Sequence, residues 1–348
     1  STHNPSSAAS DVYKRQSELC NSINVKGGKN LIDKIWIKKS RPSMKKIYPM
    51  QDQLTGETHY EKISKIVDEL KEQDLNHAII TLSDSISWLL NLRCDDIPHV
   101  PIVQSFAVIN RDQSVDLFIS GKKLSKSVLK HLGPKIRRHT KVKFKKFVKT
   151  LMGRILVDPS NCPILVHSQL NKRKTVVIYG TDPCLLPKSI KNKVEIEGSK
   201  QAHLLDGTAM TKFLYWFSKS SKNKDLNEIT IVKALEKKRR NSDLLKDISF
   251  DTICGSGPNG AIVHYRVSET SNRLLQKNDL ILIDSGGQYE SGTTDITRTL
   301  GLGEPTQFMK VTFTLVLKGL ISLSRLKWPK GLSGKAVSYT HLTLPTTD

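Results

Sequence analysis

The sequence predicts a mixed α/β (α+β) chain built in two parts. Its 348 residues are enough for two domains that each bury a core. Strand-like apolar runs alternate with amphipathic helical patterns through the first half. Two prolines in DPCLLPKSIKN (182–192) then interrupt that alternation before a long helical segment begins. A hydrophobic fraction of 37% against 25% charged residues excludes a disordered chain. No apolar stretch is long enough to span a bilayer, and no secretory leader pattern opens the sequence, so neither a membrane nor export is expected. The five cysteines form no CxxC pair, which excludes a zinc knuckle and a compact disulfide framework. Scattered reduced thiols fit a cytoplasmic protein.

Taken in order, Tyr60, Ile63, Ile66, Val67 and Leu70 recur at helical spacing, with Lys and Glu on the opposite face. AIITL (78–82) reads as a buried strand, and Ser83 or Asp84 can cap the helix SDSISWLLNL that follows. SFAVI (105–109) and VDLFIS (115–120) are two further strands split by the turn residues NRDQ. LSKSVLKHL is helical; CPILVHSQ and TVVIYG read as strands. Residues 45–190 therefore form an α/β domain. His99 and His131 have no partner at ligand spacing and read as satisfied histidines, while Arg93 is expected to pair with a nearby carboxylate. Beyond the prolines, Val194, Ala202, Leu205, Ala209, Phe213 and Phe217 outline a long helix to about Lys219. Leu226 to Arg240 gives a second amphipathic helix.

The formal charge is +22, and from Phe118 to Val157 there are thirteen Lys and Arg residues and no acid. Such a strip could track nucleic-acid phosphates. It carries no nucleic-acid motif and few aromatics to stack on bases, so a solvated Lys-rich surface is the reading adopted. The two ends, residues 1–16 and 336–348, resemble translated adaptor and are set aside from fold reasoning; residues 17–44 read as a linker from an upstream domain.

Chemistry concentrates between residues 249 and 300. SFDTICGSGPNG reads as a strand ending in a Gly-rich loop, and AIVHY (261–265) as a strand that carries His264. The apolar run LILI (280–283) delivers Asp284, and a turn through QYESG leads to TTDITRTL, which carries Asp295. A turn centred between Tyr289 and Glu290 sets Asp284 directly opposite Asp295, with Cβ atoms about 5 Å apart. Two ionised carboxylates that close repel each other, the more so if buried, and require a positive partner. Arg298 is one candidate. A pair of divalent cations, which two-metal hydrolytic sites hold about 4 Å apart, is the other.

NGAIVHY (259–265), LIDSGGQY (282–289) and GTTDITRT (292–299) closely resemble three consecutive signatures of the aminopeptidase P branch of the pita-bread metallopeptidases. The spacings agree: twenty residues from His264 to Asp284 and eleven from Asp284 to Asp295. The similarity continues upstream through ISWLLNLR and downstream into TFTLVLKG (312–319). The resemblance implies a creatinase/prolidase-like N-terminal-type domain over 45–190, then the first part of a pita-bread catalytic domain over 191–335. It implies that Asp284 chelates one metal, that Asp295 bridges two, usually manganese, and that His264 assists proton movement beside the substrate. The implied activity is release of an N-terminal residue from peptides with proline second, by a homodimer when complete. A histidine in an HGxGH-type segment and two glutamates would complete the ligand set. None is found here, so two of five ligands are present and the fragment is expected to be inactive. A prolidase, or a non-catalytic relative that binds a partner or nucleic acid, is the alternative.

Overall fold

The structure is a computed structural model that describes residues 31–35, 45–121, 124–170, 174–220 and 225–327. The adaptor-like ends and nearly all of the 17–44 linker lie outside the described residues. By internal contact the chain divides into two compact units, one comprising residues 1–204 and 288–294, the other 205–287 and 295–348.

The first unit is organised on a six-stranded mixed sheet in the order β6-β5-β4-β2-β7-β8. Its strands are β2 (His77–Ile80), β4 (Phe106–Asn110), β5 (Val115–Phe118), β6 (Ile136–His139), β7 (Gly153–Val157) and β8 (Thr175–Tyr179). The short strands β1 (Ile47–Pro49) and β3 (Leu92–Cys94) pair separately. Strict alternation assigns the large sheet's side chains to two cores. Ala78, Ile80, Ala107, Ile109, Val115 and Leu117 enter one, whereas Ile79, Val108, Phe118, Ile155 and Val157 enter the other. Helices α1 (His59–Glu72), α2 (Ser83–Leu89) and α3 (Lys126–Leu132) contribute to the first core; α4 (Phe144–Val148) and α5 (Ile164–Gln169) contribute to the second.

Helix α1 begins in a reciprocal capping box: Glu61 N–H donates to Thr58 Oγ1 at 3.3 Å, and Thr58 N–H donates to Glu61 Oε2 at 2.7 Å. Ile63, Ile66, Val67 and Leu70 are buried as their spacing requires, but Lys62, expected on the solvent face, is buried too. Its ammonium donates to Asn91 Oδ1 at 2.7 Å and to the Trp88 carbonyl at 3.0 Å, and lies 4.5 Å from the centre of the Trp88 ring. Burial lowers its pKa to about 8. Helix α2 is preceded by Leu82 at the N-cap, so Ser83 and Asp84 sit inside the first turn and do not cap it. Arg93 donates to the backbone carbonyls of Ser87 and Leu92 at 3.0 and 2.9 Å, where a carboxylate partner was expected. CPILVHSQ folds as α5, because Pro163 fixes the N-terminal φ and only Val166 of the helix is buried.

His131, read as a satisfied histidine, contacts the Leu90 carbonyl through Nε2 at 2.9 Å. Its ring lies 4.6 Å from that of His59, which is 4% exposed. His99 takes a left-handed backbone, φ 65°, and its carbonyl accepts from Gln288 Nε2 at 2.8 Å.

The second unit rests on a three-stranded antiparallel sheet in the order β10-β11-β13. These strands are β10 (Ile253–Ser256), β11 (Leu280–Ser285) and β13 (Ile296–Gly301); β9 (Leu245–Ile248) also belongs to this unit, and β12 (Gly287–Tyr289) runs across the unit boundary. The unit boundary falls within α6 (Lys193–Ser220), and α7 (Glu228–Arg239) follows. Met210, Phe213 and Phe217 of α6 and Ile231 and Leu235 of α7 form a core with Cys254, Ile281 and Ile283 of the sheet. Beneath it, Arg239 Nε and Nη2 donate to the two Asp206 carboxylate oxygens at 2.6 and 3.1 Å, both residues being fully buried. The last helix among the described residues, α8 (Gln307–Ser324), buries no residue; Phe308 is 79% and Val316 69% exposed.

Candidate metal centre

The sheet of the second unit alternates as its sequence requires. Ile281, Ile283 and Ser285 are buried, whereas Leu280, Leu282 and Asp284 are half-buried on the other face. β11 pairs with β13 so that Asp284 faces Thr297 and Ser285 faces Ile296. Gln288 bridges Thr293, which centres the turn between Glu290 and Ser291. That centre is one residue later than expected, so Asp284 opposes Thr297 and not Asp295. A one-residue displacement of the centre shifts the register by two and preserves the facing. Asp295, two residues before Thr297, is thus still brought to Asp284, diagonally.

The two carboxyls meet. Local desolvation, the negative charge of Asp284 and a hydrogen bond shared with it raise Asp295 above the usual carboxylate range. Asp295 is nevertheless largely exposed and Asp284 half-buried, which corrects the expectation of a buried pair. The reason is the sheet's one-sided packing: the core lies under the odd residues of β11 and the aspartates are on the other side. Thr297 Oγ1 donates to Asp284 Oδ1 at 2.8 Å. Arg298, the alternative positive partner, instead donates through Nη1 to the Thr297 carbonyl at 2.7 Å. Among the described residues no Lys, Arg or His pairs with either aspartate. Paired oxygen donors of this kind suit a hard divalent ion. No group of three or more metal-ligating side chains occurs among the described residues.

His264 is placed differently from the expectation. After β10 the chain turns through a 3₁₀ segment, Gly257–Ala261, and AIVHY is not a strand. Gly257, which opens the 3₁₀ segment, takes φ +51°, and His264 within AIVHY takes φ 56°, a left-handed conformation incompatible with an extended ladder. The His264 side chain is exposed and makes no hydrogen bond or ion pair among the described residues.

One carboxylate that sequence reasoning missed holds this segment. Glu228, fully buried at the first turn of α7, accepts from Ser256 N–H at 2.7 Å, Ser256 Oγ at 2.9 Å and Tyr265 Oη at 3.0 Å. It also accepts from Asn259 Nδ2 at 3.1 Å and Arg273 N–H at 3.3 Å. The side chains of α7 that lose solvent are Glu228, Ile231, Leu235 and Arg239. A helical stripe with an acid at one end and a base at the other was visible in the spacing, and would have identified both.

Residues 38–195 match the family model described as Creatinase/Prolidase N-terminal domain, and residues 197–344 match Metallopeptidase family M24. A relative in Talaromyces stipitatus named "Probable Xaa-Pro aminopeptidase P" is 37% identical over 322 residues, covering 88% of this chain and 49% of that protein. One of the same name in Leptosphaeria maculans is 33% identical over 338 residues, covering 92% of this chain and 56% of the relative. The chain therefore spans about half the length of the curated relatives it matches. An X-prolyl aminopeptidase from Caenorhabditis elegans, described as a cytosolic enzyme with a di-nuclear active site, superposes with TM-score 0.81 at 28% identity. That superposition covers 88% of this chain and 52% of the other. An Xaa-Pro dipeptidase from Bacillus anthracis shares the fold, with TM-score 0.62 at 19% identity over 82% of this chain and 76% of that one.

Proposed function

We propose, from a chain that joins a Creatinase/Prolidase N-terminal domain to a Metallopeptidase family M24 segment, that it carries part of a metal-dependent exopeptidase. The substrate is a peptide with proline at its second position, and the released group is the N-terminal residue. One observation carries the reading: Asp284 and Asp295 meet on a half-open sheet face with no side-chain cation between them.

On this reading Asp284 and Asp295 would together hold divalent metal, Mn²⁺ being the expected ion. Ions bound there would polarise the scissile carbonyl and lower the pKa of water. Thr297 keeps Asp284 Oδ1 occupied by a hydrogen bond, which fixes the carboxylate plane and leaves Oδ2 for a ligand. His264, with its side chain uncommitted, is the group that moves a proton beside the substrate, and the Glu228 network fixes the loop that presents it. Two carboxylates alone bind metal weakly, because affinity follows ligand count. The chain as given is therefore proposed to be inactive on its own, and the complete protein to be a cytoplasmic homodimer. The resemblance of the C. elegans enzyme supports the location and the di-nuclear site.

Titration of the chain with Mn²⁺, followed by thermal unfolding, tests the site. The melting temperature should rise with Mn²⁺ at pH 7, rise less at pH 4.5 where protons compete for the raised Asp295, and not respond in Asp295→Ala. An Asp295→Ala chain that is still stabilised by Mn²⁺ to the same extent would refute the ligand assignment.

A further inference from the structure

We propose, on the metal reading given above, that Glu228 is a positioning residue. Its carboxylate clamps a loop onto the sheet face that carries Asp284, and the clamp holds His264 within reach of an ion bound there.

The loop lies on the carboxylate face. Gly255 of β10 pairs with Leu282 of β11, and directly opposed residues share a face. Leu282 precedes Asp284 by two residues, so Gly255 belongs to the same face, about 7 Å along the strand from Asp284. The chain at 259–260 fills the space that a side chain at Gly255 would need. A Cβ there would come within 2.7 Å of the Asn259 carbonyl oxygen and 2.9 Å of Gly260 Cα. Glycine at this position therefore lets the 3₁₀ segment fold down onto the strands beside Asp284.

Two turns follow. Ile262 N–H donates to the Asn259 carbonyl and Tyr265 N–H to the Ile262 carbonyl, each at 3.2 Å. His264 is the third residue of the second turn, and its φ of 56° is one that turns reserve for glycine. The side chain is exposed and makes no hydrogen bond among the described residues. Nothing in the fold rewards a histidine there, and strain of this kind collects at functional positions.

Glu228 grips both ends of the loop. Ser256 donates from the strand that enters it, Asn259 Nδ2 from the first turn at 3.1 Å, and Tyr265 Oη from the close of the second at 3.0 Å. Arg273 is committed within the same network: its Nη1 donates to Ser256 Oγ at 3.1 Å, and its guanidinium pairs with Asp279. An apolar residue of similar size generally fills a core as well as a buried carboxylate does. What the carboxylate adds is direction, because it accepts from both ends of the loop at once.

The test is NMR of the His264 imidazole protons, assigned by their loss in His264→Gln, while the chain is titrated with Mn²⁺. Mn²⁺ is paramagnetic and broadens protons near it; Mg²⁺ serves as the diamagnetic control. Thermal unfolding is followed in the same samples. Mn²⁺ should raise the melting temperature and broaden the His264 resonance, and both effects should vanish in Asp295→Ala. Glu228→Gln sets an amide N–H against the loop's donors, so the broadening should fall severalfold while the Mn²⁺ shift in melting temperature survives. Gly255→Ala should do the same by lifting the loop without touching Glu228. Tyr265→Phe removes one bond at the far end and should give intermediate broadening with an unchanged circular dichroism spectrum. A purely structural anchor would lower the melting temperature in these variants and leave the broadening alone. His264→Gly should keep or raise the melting temperature, since glycine relieves the left-handed strain. A Mn²⁺ shift without broadening in the parent chain would overturn the proposal and leave the metal reading standing. So would full broadening in Glu228→Gln or Tyr265→Phe, or a lower melting temperature in His264→Gly. Loss of shift and broadening together in the parent chain would remove the metal reading itself.

Discussion

The two sheets differ in how many faces the protein covers. The six-stranded sheet of the first unit has a core on each side, so Ile79 and Ile80, adjacent in sequence, enter different cores. The three-stranded sheet of the second unit has one core, and its other face presents Asp284, Thr297 and Asp295 half open to solvent. The carboxylate that the first sheet buries, Asp116 on β5, is taken up by Arg137, His139 and Asn110, which leaves it nothing to offer an ion. On the half-covered sheet, the core under Ile281 and Ile283 supports the strand while the opposite face leaves its carboxylates reachable from solvent. Rigid support on one side and access on the other suit a site that must be both positioned and reachable.

The comparison can be broken most sharply at Asp206. Asp206→Ala would leave Arg239 buried and uncompensated, and should destabilise the second unit by about 3–5 kcal/mol. Amide hydrogen exchange should report the loss in α6, α7 and β11 while β2, β4 and β5 stay protected; equal loosening of both units would dissolve the contrast. Next in size is truncation in the doubly covered unit. Ile63→Ala, at a side chain 1% exposed, should cost about 2–5 kcal/mol in urea unfolding. Val316→Ala on α8, 69% exposed, should stay within about 0.5 kcal/mol. A comparable cost at both positions would mean that α8 is packed in solution.

The smallest effect is a pH dependence confined to the first unit. Burial, then the neighbouring charge of His131, lowers the pKa of His59 to about 4. The unfolded chain takes up that proton near pH 6.5, so between pH 6.5 and 4 the unfolded state binds more protons. Stability is retained above that window and lost as pH falls through it, by on the order of 2 kcal/mol between pH 7.5 and 4.5. His59→Phe should remove most of this slope in urea unfolding at the two pH values. A slope that persists in the variant would assign it to the carboxylates instead.

Much of the first unit was legible because one-dimensional periodicity reports burial. Ile63, Ile66, Val67 and Leu70 have helical spacing, and AIITL, SFAVI and VDLFIS have the β-branched, apolar character of covered strands. CPILVHSQ looks like a strand because a short apolar run has no period of its own, yet Pro163 within it sets up a helical first turn. AIVHY failed for a related reason: a left-handed residue, His264, sits inside it, and His gives no sequence signal for that conformation as a glycine would. The aspartate pair was legible in kind but not in register. Parity rescued it, because a two-residue error returns each side chain to the same face. Glu228 escaped because an acid at a helix start reads as a cap or a dipole partner before it reads as a buried anchor.

Helix α8 has a consequence for the behaviour of the chain in solution. Its bare apolar surface would make copies of the molecule adhere to one another, while a formal charge of +22 pushes them apart. Colloidal balance therefore rests on long-range repulsion, and raising ionic strength removes the repulsion while leaving the adhesion intact. Such a chain stays dispersed in dilute buffer and clouds as salt is added.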